Sequence, residues 1–237
     1  MEWFQNWFDT KYYHLLYEDR NDEEAQFFMK NLTSFLGLDK THTILDLPCG
    51  KGRHSIFLNS LGYRVIGADL SKNSIAYAKQ FENDSLTFEV HDMRTPFNTK
   101  FDAIFNLFTS FGYFDDATNI ATLKNLKNGL HKNGMLVIDF MNVHLVSANL
   151  VPSETIIKDN ITFKIDRSID ADYIKKDIRF TTDNNEYHFT EKVRFLTLNT
   201  LQKYTADAGM ELKHIFGDYN LNPFDIDTSS RLILILE

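Results

Sequence analysis

The 237-residue chain is 43% hydrophobic and 24% charged, carries a net charge of −8 and has one cysteine. That balance describes a folded globular protein, long enough for one sizeable domain with an insertion. It argues against a basic nucleic-acid face, a disulfide framework and a membrane span. The N-terminus, Met1-Glu2-Trp3-Phe4-Gln5-Asn6, shows no basic region followed by an apolar stretch, so a cytoplasmic protein is expected.

The first forty residues are unusually aromatic, with Trp3, Phe4, Trp7, Phe8, Tyr12, Tyr13 and Tyr17. From Asp22 to Leu38 the residues Ala25, Phe28, Met29, Leu32, Phe35 and Leu36 recur at helical spacing, and Gly37 stops the helix. Residues 1–40 therefore read as an N-terminal helical cap. Next comes Thr43-Ile44-Leu45-Asp46-Leu47-Pro48-Cys49-Gly50-Lys51-Gly52-Arg53-His54-Ser55. An apolar β-branched run ends at Pro48, two glycines follow, and Ile56, Phe57, Leu58 and Leu61 begin a helix. Strand, glycine-rich turn and helix together let a backbone approach a ligand and aim helix N–H groups at it. A second apolar run, Tyr63 to Leu70, delivers Asp69 about twenty residues beyond the glycines, the spacing of a ribose-binding acid.

A dinucleotide fingerprint needs a third glycine three residues after Gly52, where Ser55 stands. Asp46, four residues before Gly50, would repel a pyrophosphate but suits a ligand with an ammonium group. The pattern Asp-x-Pro-Cys-Gly-x-Gly resembles the first motif of the class I S-adenosylmethionine-dependent methyltransferases, and Asp69 matches that family's ribose acid. The resemblance is strong over about residues 40–140 and weaker at the ends. It implies an α/β fold with a seven-stranded Rossmann-like sheet of order 3-2-1-4-5-7-6, the last strand antiparallel and helices on both faces. It also implies S-adenosyl-L-methionine as cofactor. In the implied site, Asp46 holds the methionine ammonium, Pro48, Gly50 and Gly52 shape the loop, and the two glycines clear room for the methionine part. Asp69 binds the ribose diol and Leu70 lies on the adenine. Asp92 lies near the adenine amine and Met93 flanks the ring, and Arg20 is a candidate for the cofactor carboxylate.

Ser71 caps a helix carrying Ile75, Ala76, Ala78, Lys79 and Phe81. Strands are expected at Leu86–His91, at Phe101–Leu107 and, after a helix with Ile120, Leu123, Leu126 and Leu130 and a turn at Asn133-Gly134, at Met135–Phe140. Strands alternating with helices imply a parallel sheet. The stretch Asn106 to Phe114 follows the fourth strand and so lies on the ligand side of the sheet. It departs from the acid/Asn-Pro-Pro-aromatic motif of many DNA and protein-amide methyltransferases, and is more similar to loops of small-molecule enzymes. Asn106 and Phe108 join the cofactor set. Tyr13 and Tyr113 are catalytic candidates for orienting an acceptor.

From Glu154 to Phe195 the pattern changes to short alternating runs broken at Asp159-Asn160 and Asp183-Asn184-Asn185, which reads as an antiparallel β insertion, residues 154–195. It serves as a lid over the site or as a subunit interface. The core is then 41–153 plus 196–237, closing with a helix at Thr200–Ala208 and strands at Glu211–Phe216 and Leu232–Leu236. Tyr219 and Arg231, between those strands, are candidates for substrate contact. No metal-ligand spacing is present, so no metal is expected. The expected activity is methyl transfer to a nitrogen or oxygen of a small molecule, with no nucleic-acid or membrane partner, by a monomer or homodimer. The alternatives are an RNA or protein substrate, or non-catalytic binding of the cofactor.

Overall fold

The computed structural model describes residues 2–19, 22–170 and 172–237. A seven-stranded sheet runs β3-β2-β1-β4-β5-β11-β10, comprising β1 (Thr43–Asp46), β2 (Arg64–Asp69), β3 (Leu86–Val90), β4 (Phe101–Asn106), β5 (Leu130–Met141), β10 (Leu212–Phe216) and β11 (Arg231–Leu236). β1 to β5 pair in parallel, whereas β11 is antiparallel to both its neighbours. This is the expected methyltransferase-type order. β11 shows why such a sheet is central. Leu232, Leu234 and Leu236 enter one apolar cluster and Ile233 and Ile235 the other, because successive side chains leave a strand on opposite faces.

One face is covered by α6 (Asp116–Asn128) and α8 (Leu198–Asp207), through Leu123, Leu126, Leu201 and Tyr204. The other is covered by α3 (Asp22–Phe35), α4 (Arg53–Ser60) and α5 (Lys72–Ala78), through Phe28, Met29, Leu32, Leu58 and Ile75. α3 thus belongs to the core layer, which shortens the N-terminal cap to the residues before it. Its apolar stripe faces α4 and the sheet, and Gly37 (φ 60°) closes it. Two further differences concern β5. Leu130 starts the strand instead of ending α6. The Asn133-Gly134 turn sits inside the strand as a bulge, where pairing jumps from Phe101–Leu130 to Ala103–Met135. A short helix, α7 (Val143–Ala148), capped by the Asn142 side chain, leads out of the core.

The second sheet is a meander of β6 (Ser153–Lys158), β7 (Ile161–Ile169), β8 (Tyr173–Thr182) and β9 (Asn185–Arg194). Asp159-Asn160 and Asp183-Asn184 are two-residue hairpin loops with φ of 46°, 61°, 52° and 59°. Such turns favour Asn and Asp because both central residues need positive φ. Phe163, Ile165, Ile178 and Phe180 form the buried face of this sheet. It packs on Trp7, Tyr12 and Leu16 from α1 (Trp3–Phe8) and α2 (Lys11–Leu16). These two helices form a strap. Glu191 accepts hydrogen bonds from Trp7 Nε1 and the Tyr17 hydroxyl, each at 2.7 Å, and Lys176 donates to that same hydroxyl. No helix of the described residues is long and apolar enough to cross a membrane.

Candidate active site

A cavity of about 720 Å³ opens where the chain leaves β1, β2, β3 and β4. Leu47, Pro48, Cys49 and Gly50 follow β1; Asp69 and Leu70 end β2; Asp92 and Met93 follow β3; Leu107, Phe108 and Ser110 follow β4. The strap supplies Phe4, Phe8, Tyr13 and Tyr17, with Tyr113 and Phe114 beside them. None of the wall residues comes from β6 to β9. The four-stranded sheet packs on the strap, and its described residues lie outside the cavity wall.

Asp69 organises the glycine-rich turn. One carboxylate oxygen accepts the Gly50 N–H and the other the Ser71 N–H, both at 2.8 Å. Burial pushes its carboxyl up, against the pull of those two N–H groups. Each carboxylate oxygen has a further lone pair, so two hydroxyl donors can still be received. Gly50 (φ 55°) holds a conformation that strains any residue with a Cβ, and open space surrounds that missing Cβ. Gly52 (φ 85°) differs: a Cβ there would meet the Phe88 ring at 2.7 Å. Packing against Phe88 and the left-handed backbone each require a glycine at this second position.

Three residues expected at the ligand stand behind the wall. Asp46 is 1% exposed and accepts the Ser55 hydroxyl proton at 2.6 Å, so Ser55, in place of a third glycine, is its partner. Burial raises the Asp46 carboxyl to about 7, partly offset by the Ser55 hydrogen bonds. Asn106 is wholly buried, and its amide donates to Leu47 O at 2.9 Å, tying β4 to the start of the turn. Gly52 is the third. The strand-end pattern locates these residues along the chain but not on which side of the wall they fall.

Asp92 lines the cavity but is clasped by Arg94, whose Nε and Nη2 reach it at 3.0 and 2.6 Å. Burial would raise Asp92; the Arg94 hydrogen bonds outweigh it and hold the carboxyl below its usual value. Arg94 also reaches Glu2 and lies 4.9 Å from the Phe114 ring centre, so it ties strap to floor. Asp9, between α1 and α2, makes a second tie at the N-terminus of α5. It accepts from the Ser71 hydroxyl at 2.5 Å and the Asn73 N–H at 3.0 Å. Asp9, and the tie of Arg94 to Glu2, were not evident in the sequence, because those partners are distant in the chain.

Leu70, Met93 and Phe108 line the cavity. Tyr13 and Tyr113 are there too. Both touch the Phe8 ring, at 4.8 and 5.6 Å between centres, and the Tyr113 hydroxyl donates to Thr109 O at 3.2 Å. Arg20 lies outside the described residues. Arg53, at the first position of α4, lines the cavity 4.9 Å from the Phe108 ring centre and 3.7 Å from Asp22. Tyr219 and Arg231 do not line the cavity; both bind Asp139. Phe108 (φ 56°) and Thr109 (φ 62°) are consecutive left-handed residues, a strained pair costing on the order of 1–3 kcal/mol each. No group of acids, histidines and cysteines able to hold a metal occurs among the described residues.

A doubly wound sheet with a glycine-rich turn after β1 and an acid ending β2 defines a protein that binds a nucleoside-containing cofactor at its strand ends. The methyltransferase-domain family model matches residues 44–134. Over 189 residues the chain is 27% identical to "Putative methyltransferase YqeM" of Bacillus subtilis, covering 74% of this chain and 76% of that protein. It is 29% identical to glycine N-methyltransferase of Rattus norvegicus over 62% of this chain, a match spanning about half, 54%, of that enzyme. An S-adenosylmethionine-dependent methyltransferase structure from Clostridium acetobutylicum superposes with a TM-score of 0.78 at 19% identity over 95% of each chain, a likeness of fold. The domain match, the relatives and the fold together support a class I S-adenosylmethionine-dependent methyltransferase with S-adenosylmethionine as cofactor.

Proposed function

We propose that the chain methylates a nitrogen or oxygen of a small molecule, with a small amine favoured. The observation that carries this is the composition of the wall facing the strand ends: Phe4, Phe8, Tyr13, Tyr17, Tyr113 and Phe114, with Glu18 and Asp22 at its edge. Aromatic faces and carboxylates attract an ammonium group, and the lysine and arginine of the wall, Lys51 and Arg53, belong to the glycine-rich turn and the start of α4. The named activity of the rat relative, methylation of the glycine nitrogen, points the same way.

The cofactor supplies an activated methyl group on a sulfonium. In this reading Asp69 receives the ribose diol through its two remaining lone pairs. Leu70 and Met93 sandwich the adenine, and Asp92, kept ionised by Arg94, accepts its amine. The Gly50 loop and the N-terminus of α4 face the methionine part, with Arg53 at hand for its carboxylate. Asp46 acts from behind the wall: its bond to Ser55 ties β1 to α4 and so orients the turn without contact. Tyr13 and Tyr113 are rigid amphipathic walls that orient the acceptor, while the strap excludes water. The protein's part is alignment and desolvation, with Pro48 and Asn106 holding the loop that does it.

The test is release of S-adenosylhomocysteine in a coupled assay across small amines, small alcohols, RNA and protein acceptors. Turnover confined to small amines is expected. Turnover only on alcohols would move the acceptor from nitrogen to oxygen, and turnover only on RNA or protein would overturn the small-molecule reading.

A further inference from the structure

The loop after β4 contributes Leu107, Phe108, Ser110, Tyr113 and Phe114 to the cavity wall, yet its course depends on two adjacent left-handed residues. Thr109 is β-branched, so that conformation opposes its own preference. The partners of the two residues lie outside the cavity. Asp139, on β5 and wholly buried, takes the Phe108 N–H on Oδ2 at 2.9 Å and the Thr109 N–H on its main-chain oxygen at 2.8 Å. Arg231, the first residue of β11, donates through Nε to Asp139 Oδ1 at 2.7 Å and through Nη2 to the Thr109 hydroxyl at 3.0 Å. Tyr219 donates its hydroxyl to Asp139 Oδ2 at 3.2 Å and lies 5.6 Å, ring to ring, from Phe108. Every polar group of the strained pair except the carbonyls is thereby tied to one ion pair. The Thr109 carbonyl in turn accepts from the Tyr113 hydroxyl.

We propose that Asp139 and Arg231 are positioning residues: the pair holds Phe108 and Thr109 left-handed and so sets the part of the wall that meets the cofactor. A carboxylate suits the task because it accepts from several donors at once, and the guanidinium suits it because its fork spans the carboxylate and the hydroxyl together. An ion pair that merely stabilised the β5–β11 contact would not need to reach the loop. This inference rests on the cofactor cavity alone and is independent of which acceptor the enzyme uses.

The experiment uses the full chain with S-adenosylhomocysteine as probe. Arg231→Lys keeps the charge but loses the fork. It should weaken binding in calorimetry about tenfold. It should also speed hydrogen exchange at the Phe108 and Thr109 amides. Adding Thr109→Gly should restore affinity to within about threefold of wild type, because glycine takes positive φ without support. Thr109→Val removes only the hydroxyl that Arg231 reaches and leaves the ion pair whole. It should weaken binding in the same direction, and it provides the reading if Arg231→Lys does not fold. A purely structural pair would lower the melting temperature and leave affinity and loop exchange unchanged. That outcome overturns the proposal, as does a Thr109→Gly effect that is the same with Arg231 and with Lys at position 231.

Discussion

On the floor of the cavity, Asp69 and Asp92 stand at strand ends with their oxygens already engaged by N–H groups two to nineteen residues away. On the strap above, the wall is aromatic, and its supports lie far off in sequence, Trp7 reaching Glu191 across 184 positions. The floor is a local construction whose polar groups have directions, so it discriminates by hydrogen bonding. The roof is a long-range construction held by packing, so it discriminates by shape and by the electrostatics of ring faces.

The largest effect should come from breaking the roof's support. Trp7 is fully buried between the strap and the Phe163–Phe180 face. Trp7→Ala should cost about 3–5 kcal/mol in the docking of strap on sheet. The expected result is abolished turnover and fast hydrogen exchange across residues 153–194, with the seven-stranded core still protected. Equal loss of protection in both sheets would show that roof and floor are not separable.

The floor is broken by Asp69→Ala, which removes the acceptor of the Gly50 and Ser71 amides along with the proposed diol contacts. Calorimetry should show cofactor binding weakened by about 2–4 kcal/mol. Wild-type affinity would remove the ribose assignment. The smallest effect sharpens the boundary between the two regions. Asp9→Ala cuts the tie from strap to α5 and should cost about 1 kcal/mol, seen as a small drop in melting temperature. Cofactor should leave faster in stopped-flow measurements because one end of the roof is loose. An unchanged dissociation rate would mean that Arg94 and the aromatic contacts hold the strap unaided.

Much of the floor was readable in order along the chain. The turn after β1, the acid ending β2 and the Ser71 cap are local patterns with local causes, and the two Asp-Asn hairpins announce themselves by their need for positive φ. Depth was not readable. Asp46 and Asn106 occupy the expected positions, but their side chains turn to the internal partners Ser55 and Leu47 O, and a Cβ on Gly52 would meet the Phe88 ring. Residue spacing carries no record of such pairings. The same reason hid the ion pair of Asp139 with Arg231, 92 residues apart, and made Arg231 look like a substrate contact. The apolar stripe of α3 announced a buried face, and that face packs on α4 and the main sheet.

The span from Trp7 to Glu191 bears on how the molecule comes into being. Synthesis proceeds from the N-terminus, so the strap emerges first and the sheet that receives it emerges late. During that interval Trp7, Tyr12 and Leu16 have no apolar face to cover them. Closing so long a loop adds little to the final free-energy balance, since its entropic cost grows only with the logarithm of length. It weighs instead on timing, because contacts of large sequence separation form slowly. The cofactor floor, made of neighbours, can be complete on a nascent chain whose aromatic strap still lacks the sheet that backs it.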